Sequence, residues 1–167
     1  MKGLELNKIT EKAKQGHYGI VFTSWNSDIV QDLLKEAKKE LINQGVEEGN
    51  IVLKEVPGAF ELPLATQFMA LKDNISSVIS LGAIIQGDTP HFDFISSACI
   101  EGLKDVALKT NIPVICGVLT TNSVEQAIER SSPDKMNKGK EFALSAMSTV
   151  DALSLIHISE PTRRKHI

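Results

Sequence analysis

The chain is poor in aromatic residues and cysteine, and it contains no long apolar run. Aromatic residues make up 5% of its 167 residues, and only two cysteines are present, Cys99 and Cys116. Two cysteines in no metal-type or redox-type spacing exclude a disulfide-rich secreted scaffold and a zinc module. No apolar run approaches the length that spans a membrane. We interpret both cysteines as reduced, buried thiols.

The charge balance also excludes several partners. A formal net charge of −3, with no sustained basic patch, argues against binding to nucleic acid or to an anionic membrane surface. Residues 1–18 are polar, carry lysines and have no apolar core of a secretory signal, so we expect a polar N-terminal extension and a cytoplasmic protein. The remaining composition is typical of one soluble globular domain.

Apolar segments alternate with helical patterns along the chain. The predicted strands are 19–23, 50–56, 78–85 and 114–119, and the predicted helices follow Asp28, cover 62–72, follow Pro90, cover 123–130 and begin near Asn137. Asn122 and Glu125 have the spacing of a capping box. Strict alternation with uniformly apolar strands predicts an α/β fold, a three-layer αβα sandwich with a four-stranded parallel sheet of flavodoxin-like type. Ligands of such sheets bind beyond the carboxyl ends of the strands.

The turn after the third predicted strand is the most informative segment. The strand stops at Gly87, and Asp88, Thr89 and Pro90 supply helix-start residues. Free backbone N–H groups at such a helix start favour a phosphate group, and His91 beside them can carry protons near neutral pH. This combination indicates an enzyme that acts on a phosphorylated small molecule. Ordinary helix capping and a structural histidine remain the alternative.

Six segments, in order and spacing from about Gly19 to Thr149, resemble the lumazine synthase family. They are Trp25-Asn26, Val56-Pro-Gly-Ala-Phe-Glu-Leu-Pro63, Gly87-Asp-Thr-Pro-His-Phe-Asp-Phe94, Gly117-Val-Leu-Thr-Thr121, Glu125-Gln-Ala-Ile-Glu-Arg130 and Asn137-Lys-Gly139. The resemblance implies condensation of 5-amino-6-(D-ribitylamino)uracil with 3,4-dihydroxy-2-butanone 4-phosphate. The products are 6,7-dimethyl-8-ribityllumazine, a precursor of riboflavin, and phosphate, and no cofactor is required.

The resemblance assigns one set of residues to the uracil substrate. Trp25 is the aromatic plate for the ring, and Glu61 accepts hydrogen bonds from the ribityl hydroxyls. Backbone groups complete this half-site, namely those of Ala59, Phe60, Ala83, Ile84, Ile85 and Cys116. From the residues alone, partial core burial is the favoured interpretation of Trp25, and Glu61 is compatible with a carboxylate in the first turn of a helix.

A second set is assigned to the phosphate and to proton transfer. The resemblance implies an anion site of the backbone N–H groups of Asp88 and Thr89, the Thr89 hydroxyl and Arg130, with Lys138 nearby. In the family this arginine comes from a neighbouring subunit, so we expect self-association into a pentamer or a larger assembly. His91 is the candidate catalytic residue because each step moves a proton. Arg130 and Lys138 are also consistent with solvated surface charges.

Several positions depart from the family pattern. Ser24 stands where arginine is common, Trp25 replaces the usual phenylalanine, and Gln86 replaces a frequent arginine. Asp88 replaces a small residue and contributes at most its N–H, because its carboxylate would repel phosphate. Cys116 replaces a common phenylalanine, and a reactive-thiol role is a minor alternative for it. Residues 131–134 replace the family's link between the last two helices without changing its length.

We divide the chain into the extension 1–18, a domain over 19–153 and a tail over 154–167. The tail resembles a translated sequencing adaptor rather than a terminal helix, so we expect it to be non-native and poorly ordered. The last helix should fade after about residues 151–153, because Pro161 opposes helix nearby. Docking of the apolar stretch 155–158 on the outer helices is the alternative.

Two other functions fit parts of the pattern. A noncatalytic flavin- or nucleotide-binding module would use the same sheet, but it would not need His91 or Arg130. A shell-forming homologue without activity is the second alternative, and Asp88 and Cys116 favour it. A phosphoacceptor receiver domain is set aside because no acidic pair follows the first strand.

Overall fold

The computed structural model describes residues 9–159, which fold into alternating strands and helices. The strands are β1 (His17–Thr23), β2 (Ile51–Val56), β3 (Ile75–Ile85) and β4 (Val114–Thr121). The helices are α1 (Glu11–Lys14), α2 (Ser27–Asn43), α3 (Leu62–Ala70), α4 (His91–Thr110), α5 (Val124–Ser131) and α6 (Lys138–Ser159). Short 3-10 turns precede β2 and α3, at Glu48–Asn50 and Ala59–Glu61.

The four strands form one parallel sheet in the order β2-β1-β3-β4. β3 lies at the centre and is the longest strand, and almost all of its residues are buried, which explains its apolar sequence. It pairs with β1 only as far as Leu81, opposite Phe22, whereas its pairing with β4 continues to Ile85, opposite Thr121. The predicted α/β sandwich with a four-stranded parallel sheet is confirmed.

Two apolar layers cover the sheet. On one face α2 and α6 pack on the strands through side chains such as Leu33, Leu41 and Met147. On the other face α3 and α4 pack through Leu62 and Leu103. Each fully buried side chain of this size stabilises the fold by roughly 1.5–3 kcal/mol. Both layers leave the carboxyl ends of the strands open, and the connections there carry the polar residues of the site.

The predicted strands are confirmed, with small differences at their ends. β1 begins two residues before Gly19, and β4 continues to Thr121. The predicted capping box of Asn122 is wrong by one residue. Ser123 is the last extended residue before α5, so its hydroxyl accepts the hydrogen bond from the Gln126 N–H at 3.2 Å. The Gln126 side chain in turn accepts from the Asn122 N–H at 2.8 Å.

The prediction that the last helix fades after residues 151–153 is wrong, because α6 continues to Ser159. No glycine or proline occurs between Asp151 and Ser159, and proline opposes a helix only within about the turn that precedes it, so Pro161 has no direct effect at residues 151–153. Leu155 is 63% exposed, so that residue of the predicted apolar patch is not buried in the single chain. Residues 160–167 lie outside the described residues, and the predicted disorder there stays a prediction.

The chain ahead of β1 packs on the domain from Ile9 onward. Ile9 and Ala13 are buried, and the Tyr18 hydroxyl donates to the Ala13 carbonyl at 2.8 Å. The Thr10 N–H donates to the Asp151 carboxylate at 2.9 Å, which ties this segment to α6. The division of the chain at residues 18 and 153 stays a prediction. Within residues 9–159, no helix is long and apolar enough to cross a membrane.

Candidate active site

A cavity of about 400 Å³ lies beyond the carboxyl ends of the strands, where the connections after β1, β2 and β3 meet. Its wall combines aromatic rings, a carboxylate, an imidazole and the backbone at the end of β3. The lining residues are Thr23, Trp25, Asn26, Ala59, Phe60, Glu61, Ala83, Ile84, Ile85, His91 and Ile95. This position is the ligand site that the sheet type predicts.

Trp25 forms one wall of the cavity and is held through its backbone. The Ser24 N–H donates to the Val56 carbonyl at 2.8 Å, and the Trp25 N–H donates to the Pro57 carbonyl at 3.1 Å. The indole ring lies against Gly58, where an added Cβ would come within 2.6 Å of the ring carbon Cε3. Trp25 is 67% exposed, so the structure does not support the alternative of core burial.

Glu61 occupies the helix-start position that the sequence left open, and its carboxylate also lies in the cavity wall. It lies at the end of the 3-10 turn that precedes α3, and its Oε2 accepts a hydrogen bond from the Gly58 N–H at 3.0 Å. This bond orients the carboxylate at the cavity wall. A carboxylate can accept about four hydrogen bonds, so capacity remains for ligand hydroxyls. Phe60 beside it is 66% exposed, which leaves a second aromatic ring at the rim.

His91 lies where α4 begins and is one of the residues that line the cavity. It is the first helical residue, and its N–H faces the Thr89 hydroxyl oxygen at 3.4 Å. Asp88, Thr89 and His91 are all exposed. The start of this 20-residue helix is the positive end of the helix dipole, so it favours an anion next to His91.

The structure brings together eight of the thirteen predicted site residues. These eight line the cavity: Trp25, Ala59, Phe60, Glu61, Ala83, Ile84, Ile85 and His91. Asp88 and Thr89 lie three and two residues before His91 but are not among the lining residues. The other three, Cys116, Arg130 and Lys138, also lie outside the cavity of the single chain. Arg130 donates to the Gln126 carbonyl of its own helix at 3.0 Å, and Lys138 pairs with Glu141 at 3.1 Å.

The prediction of two buried thiols is correct for Cys99 and wrong for Cys116. Cys99 packs between α4 and the sheet, and burial, with a smaller effect of Cys116, raises its pKa to about 12. Cys116 is exposed because it lies on the edge strand β4. The surrounding protein still withdraws its sulfur from water, which raises its pKa more than a backbone hydrogen bond at Val118 lowers it. A reactive thiolate is therefore disfavoured at both positions.

Three lining residues were not predicted as site residues: Thr23, Asn26 and Ile95. The sequence placed Asn26 only in the Trp25-Asn26 motif. An asparagine between a strand and a helix also indicates a left-handed backbone, which Asn26 has. It lies between this cavity and a second one of about 440 Å³, whose wall includes Asp28, Asp32 and Ile128. The second cavity has no aromatic ring or histidine in its lining. Among residues 9–159, no group of three or more potential ligand side chains could hold a metal ion.

Fold and cavity together define an α/β protein of flavodoxin-like type with a small-molecule site at the carboxyl ends of its parallel strands. The family model of 6,7-dimethyl-8-ribityllumazine synthase matches residues 15–154, and the chain belongs to this family. It is a transferase of riboflavin biosynthesis that condenses 5-amino-6-(D-ribitylamino)uracil with 3,4-dihydroxy-2-butanone 4-phosphate. The family thus supports the enzyme over a flavin-binding module or an inactive shell protein.

Proposed function

We propose that the strand-end cavity is where the two substrates of the lumazine synthase reaction condense. The observation that carries this proposal is one cavity lined by an exposed indole, the Glu61 carboxylate, the His91 imidazole and the end of β3. The reaction needs a flat ring surface, fixed polar partners and a proton carrier, and each has a candidate in this wall.

The uracil substrate binds against Trp25 in this proposal. The ring stacks on the exposed face of the indole, and the polar ring edge meets backbone groups of Ala59–Phe60 and Ala83–Ile85. The ribityl chain extends to Glu61, whose carboxylate is already oriented by the Gly58 N–H. The same hydrogen bond holds the turn that carries Ala59 and Phe60, so the carboxylate and the backbone groups move as one unit.

The phosphate of the second substrate binds at the start of α4. Backbone N–H groups of Asp88 and Thr89 and the Thr89 hydroxyl supply donors, and the helix dipole favours the negative charge. Arg130 of a neighbouring copy supplies the cation, with Lys138 close to it and Cys116 contributing a backbone contact. Arg130, Lys138 and Cys116 lie outside the cavity of their own chain, and this position supports a contribution from a neighbouring copy.

His91 transfers protons during the condensation. The 5-amino group attacks the ketone, and loss of water gives an imine. Phosphate is then eliminated, and the ribitylamino nitrogen attacks the newly formed carbonyl, which loses a second water as the ring closes. Each loss of water or phosphate needs a proton on the leaving oxygen, and each attack releases one from nitrogen. Such assistance contributes about 10²–10⁴ in rate, so loss of the imidazole should leave residual activity.

We also propose that the enzyme is a homopentamer or a larger assembly in the cytoplasm. An exposed apolar row runs along the 3-10 turn and α3, and it is formed by Phe60, Leu64, Phe68 and Leu71. A contiguous exposed apolar face of this kind is typical of a surface that another protein covers. The two unpaired cysteines support a reducing compartment. Native mass measurement and cell fractionation test the two statements separately.

Subunit mixing tests the shared site. His91→Ala and Arg130→Ala chains, each expected to have low activity when the butanone phosphate is kept well below the KM of Arg130→Ala, are dissociated, mixed in equal amounts and reassembled. In a closed ring with one site per interface, about a quarter of the sites would then combine an intact cavity with an intact arginine. Activity well above the average of the two parent variants is expected. Activity equal to that average would overturn the neighbour's contribution, and a fully active isolated monomer would do the same.

A further inference from the structure

The end of β3 lacks a strand neighbour on one side. β1 pairs with β3 only up to Leu81, and β3 continues to Ile85. The β4 side is occupied, because the Gln86 N–H still donates to the Thr121 carbonyl at 2.9 Å. Alternate residues of a strand point their N–H and C=O groups to the same side, so those of Ala83 and Ile85 point away from β4, toward the side that β1 has left.

Asn26 fills the first of these open positions. Its side-chain Nδ2 donates to the Ala83 carbonyl at 2.8 Å, where a further residue of β1 would otherwise have donated. The residue has a left-handed backbone, with φ 57° and ψ 44°, a conformation that asparagine tolerates better than most residues. Its own carbonyl accepts from the Ile29 and Val30 N–H groups at 3.1 and 3.0 Å and so begins α2.

The pair Trp25-Asn26 therefore spans the cavity. The Trp25 backbone is bonded to Pro57 on one side, and the Asn26 side chain is bonded to Ala83 on the other. Asn26 lines the cavity together with Trp25 and with Ala83, the residue that its side chain binds. Beyond the last β1–β3 pair, Phe22 opposite Leu81, this side-chain hydrogen bond joins the Trp25-Asn26 segment to the end of β3.

We propose that Asn26 is a positioning residue for the uracil substrate, acting through Ala83. It fixes the end of β3 at the distance from Trp25 that a flat ring requires, and it satisfies the Ala83 carbonyl so that the Ile85 N–H is the next group on that side to meet the ring edge. The inference rests on the proposed use of the strand-end cavity for the uracil.

Asn26→Asp tests the hydrogen bond with little change of shape. The introduced carboxylate places an acceptor against the Ala83 carbonyl, so the end of β3 loses its tether. We expect the KM for the uracil substrate to rise about tenfold, while the KM for the butanone phosphate changes less than twofold. Asn74→Asp is the matched control, because Asn74 is exposed and also left-handed, with φ 69°, but lies in the turn before β3.

Lowering the pH should reverse the effect of Asn26→Asp on the KM for the uracil. When the introduced carboxyl is protonated, its O–H can donate to the Ala83 carbonyl, so the ratio of variant to wild-type KM should fall toward one as the pH is lowered. Glu61 and His91 line one cavity with Asn26, and Asp28 and Asp32 line the other. Because wild type contains the same four groups, the ratio of variant to wild-type KM at each pH removes their common effect. Hydrogen exchange in the free enzyme adds an independent measurement, with faster exchange expected in a peptide covering 82–86.

Asn26→Gly keeps the left-handed backbone and removes the side chain, so it replaces Asn26→Asp if that variant does not fold. A KM for the uracil unchanged in these variants, equal increases of both KM values, or an Asn26→Asp defect that does not fall at low pH would each overturn the positioning role. Trp25→Ala tests separately whether the uracil binds in the strand-end cavity. If the uracil does not bind there, Trp25→Ala leaves the KM for the uracil unchanged.

Discussion

The indole of Trp25 lies directly on Gly58, so closely that a methyl group at Gly58 would approach ring carbons Cε3 and Cζ3 to 2.6 and 2.7 Å. Gly58 has an extended backbone, with φ −143°, which any residue can adopt. The glycine is therefore required by the ring and not by the turn. The contact joins the connection after β1 to the connection after β2, and it fixes the ring that we assign to the uracil.

Gly58→Ala should displace the indole without disturbing the backbone. We expect the KM for the uracil substrate to rise about tenfold and the free energy of unfolding to fall by about 1–3 kcal/mol, as for other overpacked sites. Trp25 is the only tryptophan of the chain, so a shift of its fluorescence emission reports the displacement directly. Gly49→Ala is the control, because no atom lies within 4 Å of its added Cβ. Unchanged emission and KM would contradict the contact.

Arg130→Ala and Trp25→Ala should impair different substrates. Loss of the guanidinium removes a charge-assisted hydrogen bond to phosphate worth about 1.5–3 kcal/mol, so the KM for the butanone phosphate should rise roughly 10- to 150-fold. Loss of the indole should instead raise the KM for the uracil. Steady-state kinetics with each substrate varied in turn measures both effects. If the two variants weaken the same substrate equally, the assignment of the half-sites is wrong.

Stability should fall at alkaline pH. Burial raises the pKa of Cys99 from 9.0 to about 12, and burial followed by the charge of Asp151 raises the pKa of Tyr18. A group with a raised pKa in the folded state contributes its full stability below the pKa of the unfolded chain and loses it as the pH rises through the folded pKa. Unfolding in urea should therefore become easier between about pH 9 and pH 12. Cys99→Ala and Tyr18→Phe should each make the free energy of unfolding less dependent on pH in this range. If both variants show the same pH dependence as wild type, the raised pKa values of Cys99 and Tyr18 are not its cause.

Removal of residues 154–167 should leave the melting temperature within about 2 °C of the full chain. Leu155 is 63% exposed, so little of its apolar surface returns to water. Asp151, which accepts from the backbone and hydroxyl of Thr10, remains in the shortened chain. Asp151→Ala in the full chain is the contrast, and it should lower the melting temperature more. If truncation lowers the melting temperature more than Asp151→Ala does, the tail packs on the domain.

The sequence predicted the sheet well because most residues of β1 and β3 are buried, and most of these are apolar. It failed at the end of α6, where the prediction extended the effect of Pro161 over ten residues, although proline opposes a helix only within about the turn that precedes it. It also failed at Cys116, because periodicity does not show which strand lies at the edge of the sheet. Asn26 was missed for a related reason: its bond to Ala83 joins residues 57 positions apart, and local pattern carries no signal of such a contact.

The most direct test of the account is a turnover experiment with the full chain and both substrates, in which lumazine fluorescence and free phosphate are followed together. We expect one phosphate released for each lumazine formed, a rate reduced but measurable in His91→Ala, and quenching of Trp25 fluorescence when the uracil substrate alone is added. A folded, assembled chain that forms no lumazine, or forms it at the same rate without the His91 imidazole and without any response of Trp25, would contradict the assignment of this cavity as the active site.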